Sequence, residues 1–383
     1  MKPADFHANS PGKVLKSQQG FYIYIPDPLP PDLEWSTQLM AKLADTERSL
    51  ARLEQVGQVF PVPHVVVRPF IRREAVLSSQ IEGTRTTFEE LLAYEARQLT
   101  LFEDVQDRHE VQNYVHALDY GLDRLETLPV SLRLIKEIHG ILMEGVRGEV
   151  MTPGEFRRSQ NWIGRPGATL ENARYVPPSV EEMKKALTAL ESYIHSDSDL
   201  PALVRVGLIH YQFEAIHPFL DGNGRIGRLL ITLLLIVWGL LSQPLLYLSL
   251  FIEQNRTEYY DRLLAVTQKG QWEAWLSFFL DGVHEQASDA VMRIQKLQEL
   301  RVNYQILFST DRSRNNLAIM VDYFISTPLS SVVQAQETLD IGGFNTIQGY
   351  IQKLERLGIV REITGKARNR LYRADEIMRV LEE

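Results

Sequence analysis

Apolar residues recur with the period of an α-helix along most of the first 310 or so residues, and this pattern limits the possible folds more than any other feature. The clearest segment follows Ser36, a suitable N-cap, where Leu39, Leu43, Leu50 and Leu53 mark one helical face. Comparable segments lie near residues 65–81, 86–98, 104–126, 131–145, 180–196, 201–216, 223–241, 250–268 and 272–307. The sequence therefore predicts a mainly α protein.

The composition sets the broad class of protein. A chain of 383 residues has room for two or three domains, and its net charge of -8 argues against wholesale coating of nucleic acid. It has no cysteine, which excludes disulfides and thiolate chemistry and is compatible with a reducing compartment. The first twenty residues lack the apolar core of a secretory signal. We expect a cytoplasmic protein.

One apolar run resembles a membrane span. Residues 229–241, "LLITLLLIVWGLL", are followed at once by Ser242, Gln243 and Pro244. A bilayer needs about 20 apolar residues, so the run predicts a buried helix instead.

Two segments break the helical pattern. Residues 1 to about 35 are rich in proline and contain "GFYIYI", which is typical of a strand. Residues 160–178, "QNWIGRPGATLENARYVPP", place glycine and proline between short apolar clusters. This second pattern predicts a β-hairpin that forms a flap between helices.

From about residue 315 the pattern changes to three short helices, "NNLAIMVDYFIST", "SSVVQAQETLDI" and "NTIQGYIQKLERLGI". Two short strands follow around a Thr-Gly-Lys turn in "VREITGKARNRLYR". Three helices followed by a hairpin is the order of a winged-helix domain.

The sequence "HPFLDGNGRIGR", residues 217–228, concentrates polar groups and glycines before the apolar run. Gly222, Gly224 and Gly227 fit the G-x-G-x-x-G pattern of dinucleotide-binding folds. That pattern requires a preceding strand and an acid about 20 residues later, whereas here helices lie on both sides and the next acid is Glu253. A dinucleotide fold is disfavoured.

The same residues are suited to bind an anion. Gly222 and Gly224 allow backbone N–H groups to approach a phosphate at the start of a helix, whose dipole favours negative charge there. Arg225 and Arg228 lie on the first helical turn, where both could contact phosphate oxygens.

Two further residues add chemistry. Asp221 is a candidate ligand for Mg²⁺, which is commonly held by one or two carboxylates and substrate phosphates. A neutral His217 could accept a proton from an attacking hydroxyl at physiological pH. Each residue alone is more often structural, and the combination favours catalysis.

The segment resembles the Fic family signature H-P-F-x-D-G-N-G-R-x-x-R throughout, and the preceding "HYQFEAI" is also similar to that family. The resemblance implies a Fic-type helical core with a β-hairpin flap. It divides the chain into an N-terminal helical segment (1–104), a Fic core (105–290), a linker helix (291–314) and a winged-helix domain (315–383).

The resemblance implies a protein adenylyltransferase that moves AMP from ATP to a Ser, Thr or Tyr hydroxyl of a target protein or of itself, and releases pyrophosphate. His217 is then the base, Asp221 holds Mg²⁺ and Asn223 positions the α-phosphate. The other implied phosphate-binding residues are Gly222, Gly224, Arg225, Ile226, Gly227 and Arg228. Gly222 in a full-length motif favours AMP transfer over phosphorylation, while phosphocholine transfer is a less favoured variant.

Two other segments are similar to nucleotide-binding parts of the family. In the flap, on which a target peptide would dock, Ile163, Gly164 and Arg165 are candidates for contact with nucleotide or target. Tyr259 and Tyr260 are candidates for the adenine pocket. A purely structural role stays open for each of these residues.

"SSQIEG", residues 78–83, reads locally as a helix that stops at glycine. It resembles the family's inhibitory motif S-x-x-x-E-G at Ser78, Glu82 and Gly83. The resemblance implies a salt bridge from Glu82 to Arg228 that keeps ATP from binding productively.

Several alternatives stay open. The main one is a winged-helix DNA-binding regulator whose Fic-like core senses a nucleotide, since residues 361–374 carry a net charge of plus four. Protein docking by the winged helix is favoured somewhat over DNA binding, because Lys353 and Arg356 lie late in the third helix. A homodimer is also compatible with the sequence, whereas an inactive scaffold is disfavoured because no motif residue is missing.

Overall fold

The computed structural model describes residues 1–17, 19–97, 105–146, 152–165 and 167–382. After a short helical turn (Pro3–Asp5), the N-terminal part is an antiparallel hairpin of β1 (Gly12–Lys16) and β2 (Tyr22–Pro26). The helices that follow are α1 (Thr37–Val59), α2 (Pro63–Ile81), α3 (Phe88–Arg97), α4 (Val105–Arg124), α5 (Leu132–Leu142), α6 (Val180–His195), α7 (Ala202–Ile216), α8 (Asn223–Val237), α9 (Ser249–Gln254), α10 (Arg256–Lys269) and α11 (Trp272–Leu307).

The helix predicted after Ser36 is α1. The hydroxyl of Ser36 accepts a hydrogen bond from the backbone N–H of Leu39 at 3.0 Å, as an N-cap does. The four leucines that define its apolar face are all buried, and the helix packs along α11. The predicted helical core of the protein is therefore present.

α7 and α8 form the centre of the fold. Their side chains are buried on nearly every side, which explains why the apolar run lacks a polar face. α8 ends at Val237, and Gly239 has φ 68°, so the last residues of the predicted helix lie outside it. Among the described residues, no helix has the length and apolarity needed to cross a membrane.

The flap has less strand structure than a hairpin normally has. Ile163 and Tyr175 form one antiparallel bridge, with N–H···O distances of 2.8 and 3.0 Å. No longer ladder occurs in the described part of residues 160–178, in which Pro166 is outside the described set. On the other side, Tyr24 of β2 donates to the carbonyl of Val176 at 2.9 Å, so the N-terminal hairpin supports the flap.

The C-terminal part contains the three predicted helices, α12 (Arg314–Ser326), α13 (Val332–Thr338) and α14 (Phe344–Arg356). The predicted strands are β4 (Arg361–Glu362) and β5 (Leu371–Arg373), and β5 also pairs with β3 (Leu329–Ser331) to give the order β3-β5-β4. The sequence analysis did not predict β3, which has only three residues, or the final helix α15 (Asp375–Glu382).

The C-terminal unit rests on the N-terminal helices. α12 packs on α2, and β3 lies beside α3. Arg373 of β5 pairs with Glu89 of α3, with both carboxylate oxygens 2.9 Å from Nη1. Of the predicted domain boundaries, the one after residue 104 adjoins residues 98–104, which are outside the described set, and the one after residue 290 lies within the continuous helix α11.

Candidate active site

The motif loop, residues 217–222, connects α7 to α8. His217 at the end of α7 adopts the left-handed conformation, with φ 49° and ψ 62°. Gly222 is the N-cap of α8 with φ 76°, and a Cβ there would lie 3.1 Å from the sulfur of Met143. Left-handed backbone at a non-glycine residue is costly and is concentrated at functional sites.

Two side chains from the flap side hold this loop. Arg157, which is only 1% exposed, donates from Nε to the carbonyl of His217 at 3.0 Å. Asn161 donates from Nδ2 to the carbonyl of Phe219 at 2.8 Å. These bonds to two loop carbonyls fasten the loop to the flap side of the protein.

His139 of α5 holds the other side of the loop. Its Nδ1 accepts from the N–H of Gly154 at 2.9 Å, so its Nε2–H donates to the carbonyl of Asp221 at 3.1 Å. The ring also stacks on Phe219, with centroids 3.7 Å apart. Burial lowers the pKa of His139 to about 4, which keeps this tautomer neutral.

Asn223 shapes the loop from within. Its amide oxygen accepts from the N–H of Phe219 at 2.8 Å, and its Nδ2 donates to the carbonyl of the same residue at 2.9 Å. The side chain is 3% exposed. The Oδ1 and one N–H of this amide are thus used within the loop, and the second N–H of Nδ2 has no partner among the described residues.

His217 lines the cavity next to the loop and is half-buried. Burial, together with the positive charge of Arg157, lowers the pKa of His217 below its usual value. The imidazole is therefore neutral at pH 7 and can accept a proton.

Asp221 lies in the loop just before the N-cap of α8 and is exposed, with 52% of its side-chain area accessible. Its Oδ1 accepts from the N–H of Gly222 at 2.6 Å. Arg225 is buried behind it, with guanidinium nitrogens 3.8 Å from Asp221 and 3.5 Å from Glu110. No cluster of three acidic or histidine side chains suited to a metal occurs in the part of the chain that the structure describes.

Arg228 is buried and is held by α2. Its Nε donates to the hydroxyl of Ser78 at 2.8 Å, and Nη2 donates to the Ser78 carbonyl at 2.9 Å. Nη2 also lies 2.8 Å from Oε1 of Glu82, the C-cap residue of α2. Gly83 follows with φ 108°, which lets the chain turn away. Two of the three residues that resemble the inhibitory motif, Ser78 and Glu82, therefore contact Arg228, and Gly83 follows them directly after the helix.

The carboxylate of Glu82 lies over the first turn of α8. A Cβ on Gly224 would overlap Oε1 of Glu82, so that oxygen touches the backbone where a helix start attracts anions. Burial disfavours the charge of Glu82, yet Arg228 outweighs burial, and the pKa of Glu82 is lowered. An ionised carboxylate thus occupies the proposed phosphate position.

A cavity of about 1160 Å³ opens beside these residues. The predicted site residues that line it are Glu82, Ile163, Gly164, Arg165, His217, Gly224 and Tyr260. Tyr259 does not line it; this residue is 2% exposed, and its hydroxyl lies 2.8 Å from Nε2 of His210 in the core. Ile226 and Gly227 are likewise buried within α8, behind the cavity wall.

Two family models match parts of this chain. Residues 40–123 match the model of the Fic/DOC family N-terminal region, and residues 129–235 match that of the Fic/DOC family itself. The chain belongs to the Fic/DOC family. The second match includes the motif loop, and the first includes the helix that carries Ser78 and ends before Glu82.

Curated relatives of this Fic protein are distant. It is 26% identical over 252 residues to the protein adenylyltransferase Fic of Aedes aegypti, a match that covers 65% of this chain and 45% of that protein. The protein adenylyltransferase Fic of Drosophila grimshawi is 26% identical over 201 residues, or 52% of this chain and 37% of that one. The chain thus matches less than half the length of either relative.

Solved structures share the mainly helical Fic fold with small sheets. A Fic family protein from Desulfovibrio desulfuricans aligns with a TM-score of 0.59 and 18% identity, covering 90% of this chain and 98% of that one. Fic-1 from C. elegans aligns with a TM-score of 0.53 and 21% identity, covering 69% and 76%.

Sequence reasoning missed the residues that hold the Fic loop in place. Arg157, Asn161 and His139 lie 56 or more residues from the loop atoms they contact, and no local pattern marks them. Glu214, by contrast, lies within "HYQFEAI", three residues before His217. Its position was visible in the sequence, but its burial beside the cavity was not.

Proposed function

We propose that this protein is a protein adenylyltransferase that transfers AMP from ATP to a Ser, Thr or Tyr hydroxyl of a target protein or of itself. The observation that carries the proposal is the juxtaposition of a neutral His217 with the first turn of α8 and Arg228, beside one large cavity. The similarity to the protein adenylyltransferases of Aedes aegypti and Drosophila grimshawi supports the same reaction.

In the proposed reaction the target hydroxyl oxygen attacks the α-phosphorus of ATP. A new O–P bond forms, the bond from the α-phosphorus to the bridging oxygen breaks, and pyrophosphate leaves. His217 takes the hydroxyl proton, and the amides of the first turn of α8 stabilise charge on the phosphate oxygens. Arg228 would bind the terminal phosphate once Glu82 leaves it.

Mg²⁺ fits the donors present. Asp221 offers an exposed carboxylate, and Mg²⁺ commonly needs only one or two carboxylates when phosphates and water complete its shell. Bound there, the ion would neutralise phosphate charge. The carbonyl of Asp221, held by His139, fixes the position of this residue.

The Glu82–Arg228 pair supports autoinhibition as part of this proposal. The Glu82 carboxylate forms an ion pair with Arg228, which a triphosphate would need, and it places negative charge where phosphate oxygens would lie. The Glu82 carboxylate and the phosphates would repel each other, so ATP binds productively only after Glu82 moves.

Intact mass measurement tests the reaction and the inhibition together. Incubation with MgATP should add the mass of one or more AMP groups to Glu82→Gly, little to the wild type, and none to Glu82→Gly/His217→Ala. Label retained from γ-labelled but not from α-labelled ATP would instead identify phosphoryl transfer and reject AMP transfer.

We also propose that the C-terminal unit is a winged-helix domain, supported by its order of helices and its three-stranded sheet. Its basic charge is partly neutralised. Arg361 pairs with Asp375 at 2.8 Å, and Arg373 pairs with Glu89. Lys353 of α14 pairs with Asp311 at 2.9 Å. These pairings support protein docking over DNA binding.

DNA binding remains the second candidate because the tip of the β4–β5 hairpin exposes Lys366, Arg368 and Arg370. A gel shift with random duplex across a salt series tests it, since phosphate contacts weaken steeply with salt. Binding that is lost in Lys366→Ala/Arg368→Ala/Arg370→Ala would support the DNA-binding regulator.

A homodimer is a further proposal, which sedimentation of the full chain would test.

A further inference from the structure

Two parts of the cavity wall differ in chemistry. Glu82, His217 and Gly224 line the part near Arg228, where the phosphates of the proposed substrate would lie. Tyr260, Leu263, Leu264 and Thr267 line another wall, and their spacing places them on one face of α10. A face with an aromatic ring and two leucines is suited to a nucleoside and unsuited to phosphate.

The polar group of Thr267 on this wall is already occupied. The hydroxyl of Thr267 already lies 3.0 Å from that of Tyr211 and 3.1 Å from the carbonyl of Leu263. Thr267 therefore has little hydrogen-bonding capacity left, and the other polar side chains of α10 that line the cavity are Arg256 and Tyr260.

Glu214 of α7 lines the same cavity, one helical turn before His217. Its Oε1 is buried and has no hydrogen-bond partner among the described residues. The carboxyl lies against Gly227 of α8, where a Cβ would overlap Oε1. Gly227 thus makes room for the acid.

A buried carboxyl oxygen without a partner is costly, and acids with such an oxygen in clefts are candidates for ligand contact. Burial, opposed by Arg228 and reinforced by Glu82, raises the pKa of Glu214 to about 7. Part of the population is then neutral at pH 7, so the acid can remain near a triphosphate with less repulsion. In either protonation state it has an oxygen that accepts a hydrogen bond.

We propose that the carboxyl group of Glu214 accepts a hydrogen bond from the nucleoside of the substrate nucleotide, either from an amino group of the base or from a ribose hydroxyl. The proposal rests on the proposed function, in that it requires ATP to bind this cavity. Glu214 is then a specificity-determining residue, and Gly227 contributes by leaving space for it.

Calorimetric titration with MgATP tests the proposal in a Glu82→Gly/His217→Ala background, which lacks the blocking carboxylate and the base. Glu214→Leu is expected to weaken binding of ATP about tenfold more than it weakens binding of tripolyphosphate, which has no nucleoside. Glu214→Gln keeps an acceptor of the same size and should weaken it less.

Three analogues in the background protein identify the donor: 2′-deoxy-ATP, 3′-deoxy-ATP and purine riboside triphosphate, which lacks the amino group. The analogue without the relevant donor should bind about tenfold more weakly than ATP and should be insensitive to Glu214→Leu. If all three bind as tightly as ATP, or if Glu214→Leu changes ATP and tripolyphosphate equally, the proposal is wrong. Background protein that binds tripolyphosphate but no nucleotide would overturn the proposed function as well.

Discussion

Glu82 and Gly224 are in direct contact, and this contact joins the end of α2 to the start of α8. Oε1 of Glu82 would overlap a Cβ on Gly224, and the same oxygen accepts from Arg228 at 2.8 Å. The absence of a side chain at residue 224 therefore admits either the Glu82 carboxylate or, as proposed, a phosphate group. One backbone position serves both states.

Gly224→Ala is expected to destabilise the wild type more than it destabilises Glu82→Gly, because the added methyl group displaces the Glu82 carboxylate only when that carboxylate is present. The coupling between the two substitutions should be about 1 kcal/mol or more, as for other residues in contact. Urea denaturation of the four proteins in this double-mutant cycle measures it. Additive effects would contradict the contact.

Ser78→Ala should lower the free energy of unfolding by about 1–3 kcal/mol, since it leaves Nε of the buried Arg228 without its partner. The neighbouring Ser79 provides a matched control. It is equally buried, but its hydroxyl has no partner among the described residues. Chemical denaturation should therefore show a much smaller loss for Ser79→Ala, and equal losses would show that Ser78 acts only by packing.

His139 should make the protein sensitive to acid. Its pKa is about 4 in the folded protein, below the value of about 6.5 for an unfolded histidine. Between these values the unfolded chain binds a proton that the folded protein does not, so stability falls as pH decreases through about 6.5. The loss from His139 between pH 7 and pH 5 should be about 2 kcal/mol.

His139→Phe keeps an aromatic ring against Phe219 and removes the titrating group. The stability of this variant should therefore fall less between pH 7 and pH 5 than that of the wild type, by about 2 kcal/mol. Guanidinium denaturation at the two pH values measures the difference. If both proteins show the same change, His139 does not resist protonation in the fold.

Two glycines should respond oppositely to substitution by alanine. Gly349 lies within α14 and an added Cβ would meet no atom within 4 Å, so Gly349→Ala should stabilise the protein by about 0.5–1 kcal/mol. Gly227→Ala should destabilise it, because the Cβ would overlap the carboxyl of Glu214. Thermal denaturation of both variants checks the signs, and stabilisation by Gly227→Ala would mean that Glu214 moves aside freely.

Many helices and the position of the candidate site can be predicted from the sequence alone. Helical periodicity marked α1 and the other long helices, because burial of one face imposes a repeat that is visible locally. The motif at residues 217–228 indicated an anion site, since glycines at a helix start have that property in any fold. The strand pairing of β3 with β5 was not visible, because three residues carry too little pattern.

The tertiary structure alone decided which side chains meet. Ser78 and Arg228 are 150 residues apart in the chain, and Arg157 lies 60 residues from the carbonyl it holds at His217. It also separated Tyr260, on the cavity wall, from Tyr259, in the core, although the two are adjacent in sequence. Local patterns record which face of a helix is buried, whereas packing between distant helices determines what that face contacts.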